Sequence, residues 1–85
     1  MHREALATVQ YTATYTRGPA TPADEYVRGF RSAMTPWWGQ HAYVNYADAT
    51  IPDPASAYFG ANAPRLRRVR EAYDPDGFFT QPQGY

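Results

Sequence analysis

The sequence contains no cysteine and no lysine among its 85 residues, and its eight arginines balance eight acidic residues. Without cysteine, this chain has no disulfides, thiolate metal sites or cysteine nucleophiles. A net charge of zero gives no overall attraction to nucleic acid or to an anionic membrane. These partner classes are therefore disfavoured, and cysteine usage leaves the redox compartment open.

Long apolar runs are also absent. No stretch approaches the ~20 residues that a membrane span requires. The N-terminal segment MHREALATV lacks the apolar core of a signal peptide. We therefore expect a cytoplasmic protein with no membrane partner.

Aromatic residues are abundant, at 16% of the chain with eight tyrosines and two tryptophans. A chain this short forms one domain at most and buries only roughly 60% of its unfolded surface. So many large rings exceed what a thin core readily hides. This surplus indicates that a partner is missing.

The first half of the chain predicts a strand followed by a helix. Residues 5–15 alternate between apolar and polar side chains, which is typical of a half-buried strand. Thr21 is the expected helix N-cap and Pro22 the first helical residue, and Pro36 is expected to end the helix. Its predicted buried face consists of Tyr26, Val27, Phe30, Ala33 and Met34.

The second half predicts another strand and two helical segments. Residues 42–47 are densely apolar and aromatic, which favours a strand buried on both faces. Residues 55–59 predict one helical turn that ends at Gly60. Asn62 is the expected cap of a helix from near Pro64 to Asp74, with a buried face of Leu66, Val69 and Tyr73.

After Asp74, the motif DPDG is typical of a turn, and Phe78 and Phe79 are expected to fold back as an apolar anchor. The predicted fold class is α+β, with a small antiparallel sheet of about two strands and two to three helices.

Few residues point to chemistry on their own. Tyr46 is a candidate general base, but a tyrosine in a buried strand is usually structural, because its ring packs and its hydroxyl finds a carbonyl. Asn45 needs hydrogen-bond partners or a ligand in such a strand. His41 is accompanied only by His2, so we expect no metal site. The candidate turn and cap carboxylates are Asp48, Asp53, Asp74 and Asp76.

Two further features have simple structural interpretations. The arginines at positions 65 to 70 suggest nucleic-acid binding, but their amphipathic spacing and Glu71 favour a solvated helix face. The pair Trp37 and Trp38 is typical of a core or interface anchor rather than a ligand-stacking platform.

Four motifs occur in order along the chain: Tyr43-Val44-Asn45-Tyr46-x-Asp48, Tyr58-Phe59-Gly60-x-Asn62, Arg65-Leu66 in a basic helix, and Asp74-Pro75 with Phe78-Phe79 and Gln83. This order resembles the C-terminal module of the berberine bridge enzyme-like FAD-linked oxidoreductases. The module would cover residues 40–85. Residues 1–39 resemble the end of that family's substrate domain, and the two segments are expected to form one compact unit.

The resemblance implies that Tyr46 is a catalytic base and that Asn45 and Tyr43 lie at the flavin. It also implies that FAD is bound mainly by a domain absent from this chain. The residues that tether the flavin covalently in the family belong to that domain. A straight strand would point Asn45 and Tyr46 to opposite faces, so a shared site requires a strand end or a bulge. The sequence departs from the family pattern at Ala63 and in its Gly84-Tyr85 tail.

Three hypotheses remain open. The first is that the chain is part of a flavin oxidoreductase, as a fragment or small subunit beside an FAD-binding domain or subunit. The second is that it is a free-standing flavin-free homo-oligomer, derived from that module, that binds a small-molecule substrate or catalyses its reaction. The least favoured hypothesis is nucleic-acid binding through the arginine helix. The sequence does not identify the substrate.

Overall fold

A computed structural model describes residues 2–85. Within this range the chain contains three α-helices, α1 (Thr21–Trp38), α2 (Pro54–Phe59) and α3 (Ala63–Tyr73), and a 3₁₀ turn at Gly60–Asn62 between α2 and α3. The chain divides into two compact units, residues 2–40 and residues 41–85. The first unit contains α1 and the second contains the other elements.

Residues 2–85 contain no β-strand, so the predicted α+β fold with an antiparallel sheet is wrong. Neither residues 5–15 nor residues 42–47 form a strand. A period of two shows which side chains would share a face of a sheet, but a strand forms only where a second strand supplies backbone hydrogen bonds. The described residues supply none.

In the first unit, Tyr11 contacts α1 in place of the predicted sheet. Its ring meets Phe30 edge-on at a centroid distance of 4.9 Å, and its hydroxyl accepts a 2.9 Å hydrogen bond from the Trp38 indole N–H. The predicted apolar face of α1 exists, but none of its residues is buried. Tyr26 and Phe30 remain largely exposed.

The two ends of α1 differ from the prediction. Ala20, not Thr21, is the N-cap, and no side chain caps the helix. Pro36 lies inside the helix, which continues to Trp38 and ends at Gly39, whose positive φ of 74° suits a residue without a Cβ. Pro36 lacks an N–H and therefore removes one helical hydrogen bond, but only two residues of α1 follow it.

The second unit is built around a small core. The buried side chains are Ile51, Ala57 and Tyr58, with Ala42, Val44, Phe59 and Tyr85 packed against them. The Asp53 carboxylate caps α2 by accepting from the Ser56 N–H at 3.1 Å. As predicted, α2 ends at Gly60 and α3 ends at Asp74.

Three details of this unit correct the prediction. The Asn62 side chain makes no capping hydrogen bond to α3, and no residue of α3 is buried. Tyr73, expected on the buried face, is among the most exposed side chains. Phe78 and Phe79 are 82% and 74% exposed, so they do not anchor to the described part of the chain.

No helix within residues 2–85 combines the length and apolar character needed to cross a membrane.

Candidate functional site

The stretch from Ala42 to Asp48 is a loop whose two ends are attached to neighbouring residues of α2. At one end, the Ala42 N–H donates a 3.0 Å hydrogen bond to the carbonyl of Ala57. At the other, the Asp48 N–H donates a 2.9 Å hydrogen bond to the hydroxyl of Tyr58. Because Ala57 and Tyr58 are both buried, the loop has a fixed base.

A turn in the middle of this loop brings together the three site residues predicted from the sequence. The Tyr46 N–H donates to the Tyr43 carbonyl at 2.9 Å, and the two rings lie with their centroids 5.8 Å apart. The Asn45 side-chain amide donates to the Tyr43 hydroxyl at 2.9 Å. Because the segment is a turn and not a straight strand, the opposite-face restriction on Asn45 and Tyr46 does not apply.

The loop is exposed, which corrects the prediction of a strand buried on both faces. Tyr46 is 64% exposed, Tyr43 is 48% exposed and Asn45 is also at the surface. No group within residues 2–85 makes a hydrogen bond to the Tyr46 hydroxyl, whereas the Tyr43 hydroxyl is held by Asn45. The structural interpretation of Tyr46 as a packed core tyrosine is therefore wrong.

All four acidic residues interpreted as turn or cap residues occupy such positions. Asp76 lies in the turn closed by the 3.1 Å bond from the Gly77 N–H to the Asp74 carbonyl, and the other three act through their carboxylates. The Asp48 carboxylate accepts hydrogen bonds from the Thr50 N–H at 2.8 Å and the Thr50 hydroxyl at 2.7 Å. Asp53 caps α2, as described above. The Asp74 carboxylate accepts from the backbone N–H groups of Phe78 at 2.7 Å and Phe79 at 3.0 Å.

Sequence reasoning did not assign roles to Tyr58 and Gln83, which the structure connects to the loop. The Gln83 side-chain amide donates to the Asp48 carbonyl at 2.9 Å. The Tyr58 hydroxyl lies 3.4 Å from the Gln83 side-chain oxygen and 3.5 Å from the Asp48 carbonyl, so it has an acceptor for its proton. Both residues belong to the motifs that carry the family resemblance, which was the available signal.

The C-terminal segment is held against α2 and α3. The Tyr85 ring meets Tyr58 and Phe59 edge-on, with centroid distances of 5.4 Å and 5.0 Å. The Arg70 guanidinium donates to the carbonyl oxygens of Tyr85 at 3.1 Å and Phe79 at 3.4 Å. These contacts place Gln83 beside the loop.

The other candidates do not form a site in the described structure. Residues 2–85 contain no group of three or more histidine or acidic side chains that could hold a metal. Arg65, Arg67 and Arg68 are exposed, as the solvated-face interpretation predicts, while Arg70 is partly buried by its bonds to the C-terminal segment. The loop is thus the one place where the predicted site residues converge within the described range.

The comparisons with known proteins match this part of the chain. Residues 42–84 match the family model described as "Berberine and berberine like". The chain is 32% identical to berberine bridge enzyme-like 2 of Arabidopsis thaliana over 96% of this chain and 19% of that protein. It is 30% identical to an uncharacterised FAD-linked oxidoreductase of Bacillus subtilis, over 92% of this chain and 17% of that protein.

A third relative is the chitooligosaccharide oxidase of Gibberella zeae, 28% identical over 98% of this chain and 18% of that protein. No solved structure matches the chain significantly. The chain spans less than a fifth of the length of each of these three curated relatives. The family match over residues 42–84 and the agreement among these relatives lead to one conclusion: the chain belongs to the berberine and berberine-like family of FAD-linked oxidoreductases.

Proposed function

We propose that this chain is the C-terminal module of a berberine bridge enzyme-like FAD-linked oxidoreductase, present as a fragment or as a small subunit. It lines the flavin and substrate site, and Tyr46 is the catalytic base. One observation carries this proposal: Tyr43, Asn45 and Tyr46 gather on an exposed loop whose ends are fixed to the buried part of α2. A loop of this kind presents reactive groups at a fixed position to a body outside the chain.

The exposed loop suits a flat aromatic cofactor such as FAD. The tyrosine rings offer apolar surface. The Asn45 side-chain oxygen is not used by the bond to Tyr43, so it remains available as an acceptor. Asn45 and Tyr43 would therefore contact the flavin, while most of its binding groups would belong to the remaining four fifths of the enzyme.

FAD, when bound, supplies the acceptor for the hydride that leaves the substrate. The role of Tyr46 is to take the proton that the substrate loses from a hydroxyl or a carbon. Substrate oxidation then balances, because a hydride and a proton leave together and a double bond forms in the substrate. A tyrosine base also needs a cation or hydrogen-bond donors beside its oxygen. Within residues 2–85 the Tyr46 hydroxyl has no hydrogen-bond partner. The cation or donors would therefore come from the rest of the enzyme.

The test uses the flavin-loaded enzyme that contains this chain, either as its C-terminal part or as a separate subunit. The probe is a panel of oligosaccharides and small alcohols, and the readout is bleaching of the flavin in rapid mixing. Tyr46→Phe should slow bleaching by about 10²- to 10⁴-fold, because the proton acceptor is lost, while the flavin stays bound.

Tyr73→Phe is the matched control, since Tyr73 is exposed on α3 and loses the same single hydroxyl. A Tyr46→Phe enzyme whose flavin bleaches at the wild-type rate would refute the role of Tyr46. Release of flavin by Tyr46→Phe would instead assign this residue to binding.

Self-association is the second candidate, and the exposure of Phe78 and Phe79 favours it. A second copy of the chain would cover these rings, and the protein would act as a flavin-free small-molecule binder or catalyst. Light scattering of the purified chain separates the two proposals. A monomer at all concentrations would exclude the homo-oligomer, whereas a stable oligomer that does not bind the flavoprotein body would exclude the flavin-enzyme module.

A further inference from the structure

Tyr58, Gln83 and Asp48 form a closed hydrogen-bonded triangle below the tyrosine loop. The Asp48 N–H donates to the Tyr58 hydroxyl, and the Asp48 carbonyl accepts from the Gln83 amide, each at 2.9 Å. The Tyr58 hydroxyl and the Gln83 side-chain oxygen, 3.4 Å apart, complete the triangle. Both backbone polar groups of Asp48 are therefore held by side chains.

The triangle fixes the end of the loop that lies nearest Tyr46. Asp48 is two residues from Tyr46, and the turn bond from Tyr46 to Tyr43 links this end to the rest of the loop. The Tyr58 side chain is only 3% exposed, and its ring packs against Phe59 and Tyr85. A hydroxyl on a ring held in this way has little freedom to move, so it defines where Asp48 lies.

We propose that Tyr58 and Gln83 are positioning residues, which hold the loop so that the Tyr46 hydroxyl meets the substrate at the distance that proton transfer needs. This inference rests on the proposed role of Tyr46 as the base. Proton transfer requires heavy-atom separations of about 2.6 to 3.2 Å. A displacement of ~1 Å can cost about 10²-fold in rate, so the support of a base matters as much as its presence.

The hydroxyl of Tyr58 can be tested separately from its ring. Tyr58→Phe keeps the packing against Phe59 and Tyr85 but leaves the Asp48 N–H without its acceptor. Loss of that bond should release the loop without emptying the core. Tyr73→Phe removes an equivalent hydroxyl from an exposed position and serves as the control.

The first measurement uses the chain by itself and needs no flavin. Amide hydrogen exchange followed by NMR should show the Asp48 and Tyr46 N–H groups exchanging about tenfold faster in Tyr58→Phe, with the amides of α3 unchanged. Tyr73→Phe should leave all of these rates at wild-type values. Unchanged exchange at Asp48 in Tyr58→Phe would overturn the inference.

Gln83→Glu is a second variant, which keeps the test valid if Tyr58→Phe does not fold. An ionised glutamate only accepts hydrogen bonds, so it cannot donate to the Asp48 carbonyl, whereas a protonated glutamate can. At neutral pH, the Asp48 N–H of Gln83→Glu should therefore exchange faster than that of the wild type at the same pH. As the pH falls toward ~4.3, where free glutamate protonates, its exchange rate should approach the wild-type rate. Gln40→Glu, an equivalent change at an exposed position, should show no such recovery.

The second measurement is a double-mutant cycle in the flavin-loaded enzyme. Tyr58→Phe should slow flavin bleaching by the best panel substrate by about 10- to 100-fold, with little change in KM. Combined with Tyr46→Phe, it should cause no further loss, because a base that is absent cannot be misplaced. Additive losses would show that Tyr58 acts on the enzyme in general and would overturn the inference.

The two proposals fail in different ways. If Tyr46→Phe has no effect on bleaching, the proposed base is wrong, whatever the exchange rates show. If flavin bleaching is severely slowed in the Tyr46→Phe enzyme but has the wild-type rate in the Tyr58→Phe and Gln83→Glu enzymes, Tyr46 remains the proposed base and the positioning role is refuted.

Discussion

The two units of the chain use helices in opposite ways. Residues 2–40 contain the long helix α1, of 18 residues, yet no side chain in this unit is buried. Residues 41–85 contain α2, of only six residues, and this helix carries two of the three buried side chains in the described range. Helix length and burial are therefore unrelated in this molecule, because burial depends on what the rest of a unit packs against a helix.

The two units differ in the number of hydrogen bonds that side chains make to backbone groups. In residues 41–85, Asp53, Asp74 and Gln83 each hold backbone groups elsewhere in the unit. In residues 2–40, the main cross-link is the exposed bond from Trp38 to Tyr11. We expect the two units to differ in stability, and the following three predictions test this, from the largest effect to the smallest.

Removal of the central ring should have the largest effect. Tyr58→Ala should destabilise residues 41–85 by about 3 to 5 kcal/mol, because it leaves a cavity and removes the packing against Phe59 and Tyr85. The comparable change in the other unit, Tyr26→Ala, should cost less than ~1 kcal/mol, since that ring is already largely exposed. Urea titrations that follow amide NMR signals of each unit measure both. Equal costs would refute the contrast between the units.

The helix caps should give an intermediate effect. Asp53→Ala removes the side chain that caps α2 and should cost about 1 kcal/mol in the unfolding of residues 41–85. Thr21→Ala should leave the unfolding of residues 2–40 unchanged, because no side chain caps α1. The urea midpoints of the two variants provide the comparison. A clear loss with Thr21→Ala would mean that this threonine caps α1 in solution.

The smallest effect concerns the bond between Tyr11 and Trp38. Tyr11→Phe should cost at most about 1 kcal/mol, because the bond is exposed to water and the ring contact with Phe30 is kept. Both tryptophans lie in α1, so tryptophan fluorescence during urea unfolding reports this unit. Tyr15→Phe is the control, at another exposed tyrosine. A large loss with Tyr11→Phe would show that this single bond organises residues 2–40.

The sequence predicted the helices well because their signals are local. Apolar spacing, the prolines near the helix starts, Gly60 and Asp74 located all three helices to within a few residues. It failed on the strands at residues 5–15 and 42–47, because pairing depends on a partner that lies far away in the sequence or outside it. The cap proposed for Thr21 is wrong because Ala20 occupies the N-cap position of α1, and Asn62 occupies the N-cap position of α3 but its side chain makes no capping hydrogen bond.

The residues of the candidate site were predicted from the sequence, but their backbone conformation was not. The motif Tyr43-Val44-Asn45-Tyr46 identified the loop, but an aromatic run has the same appearance whether it forms a buried strand or an exposed turn. The hydrogen bonds that Asp48 makes with Tyr58 and with Gln83 span 10 and 35 residues of sequence. No local pattern in the sequence indicates contacts over such separations.

The hold of Asp74 on the backbone of Phe78 and Phe79 has a thermodynamic consequence. The two rings project outward from a backbone that is already ordered when the chain folds. When the two rings bind to a surface, this ordered segment would lose less conformational entropy than a mobile tail would lose. Calorimetry should therefore show that Asp74→Ala weakens such an association through its entropy, while the apolar contact area stays the same.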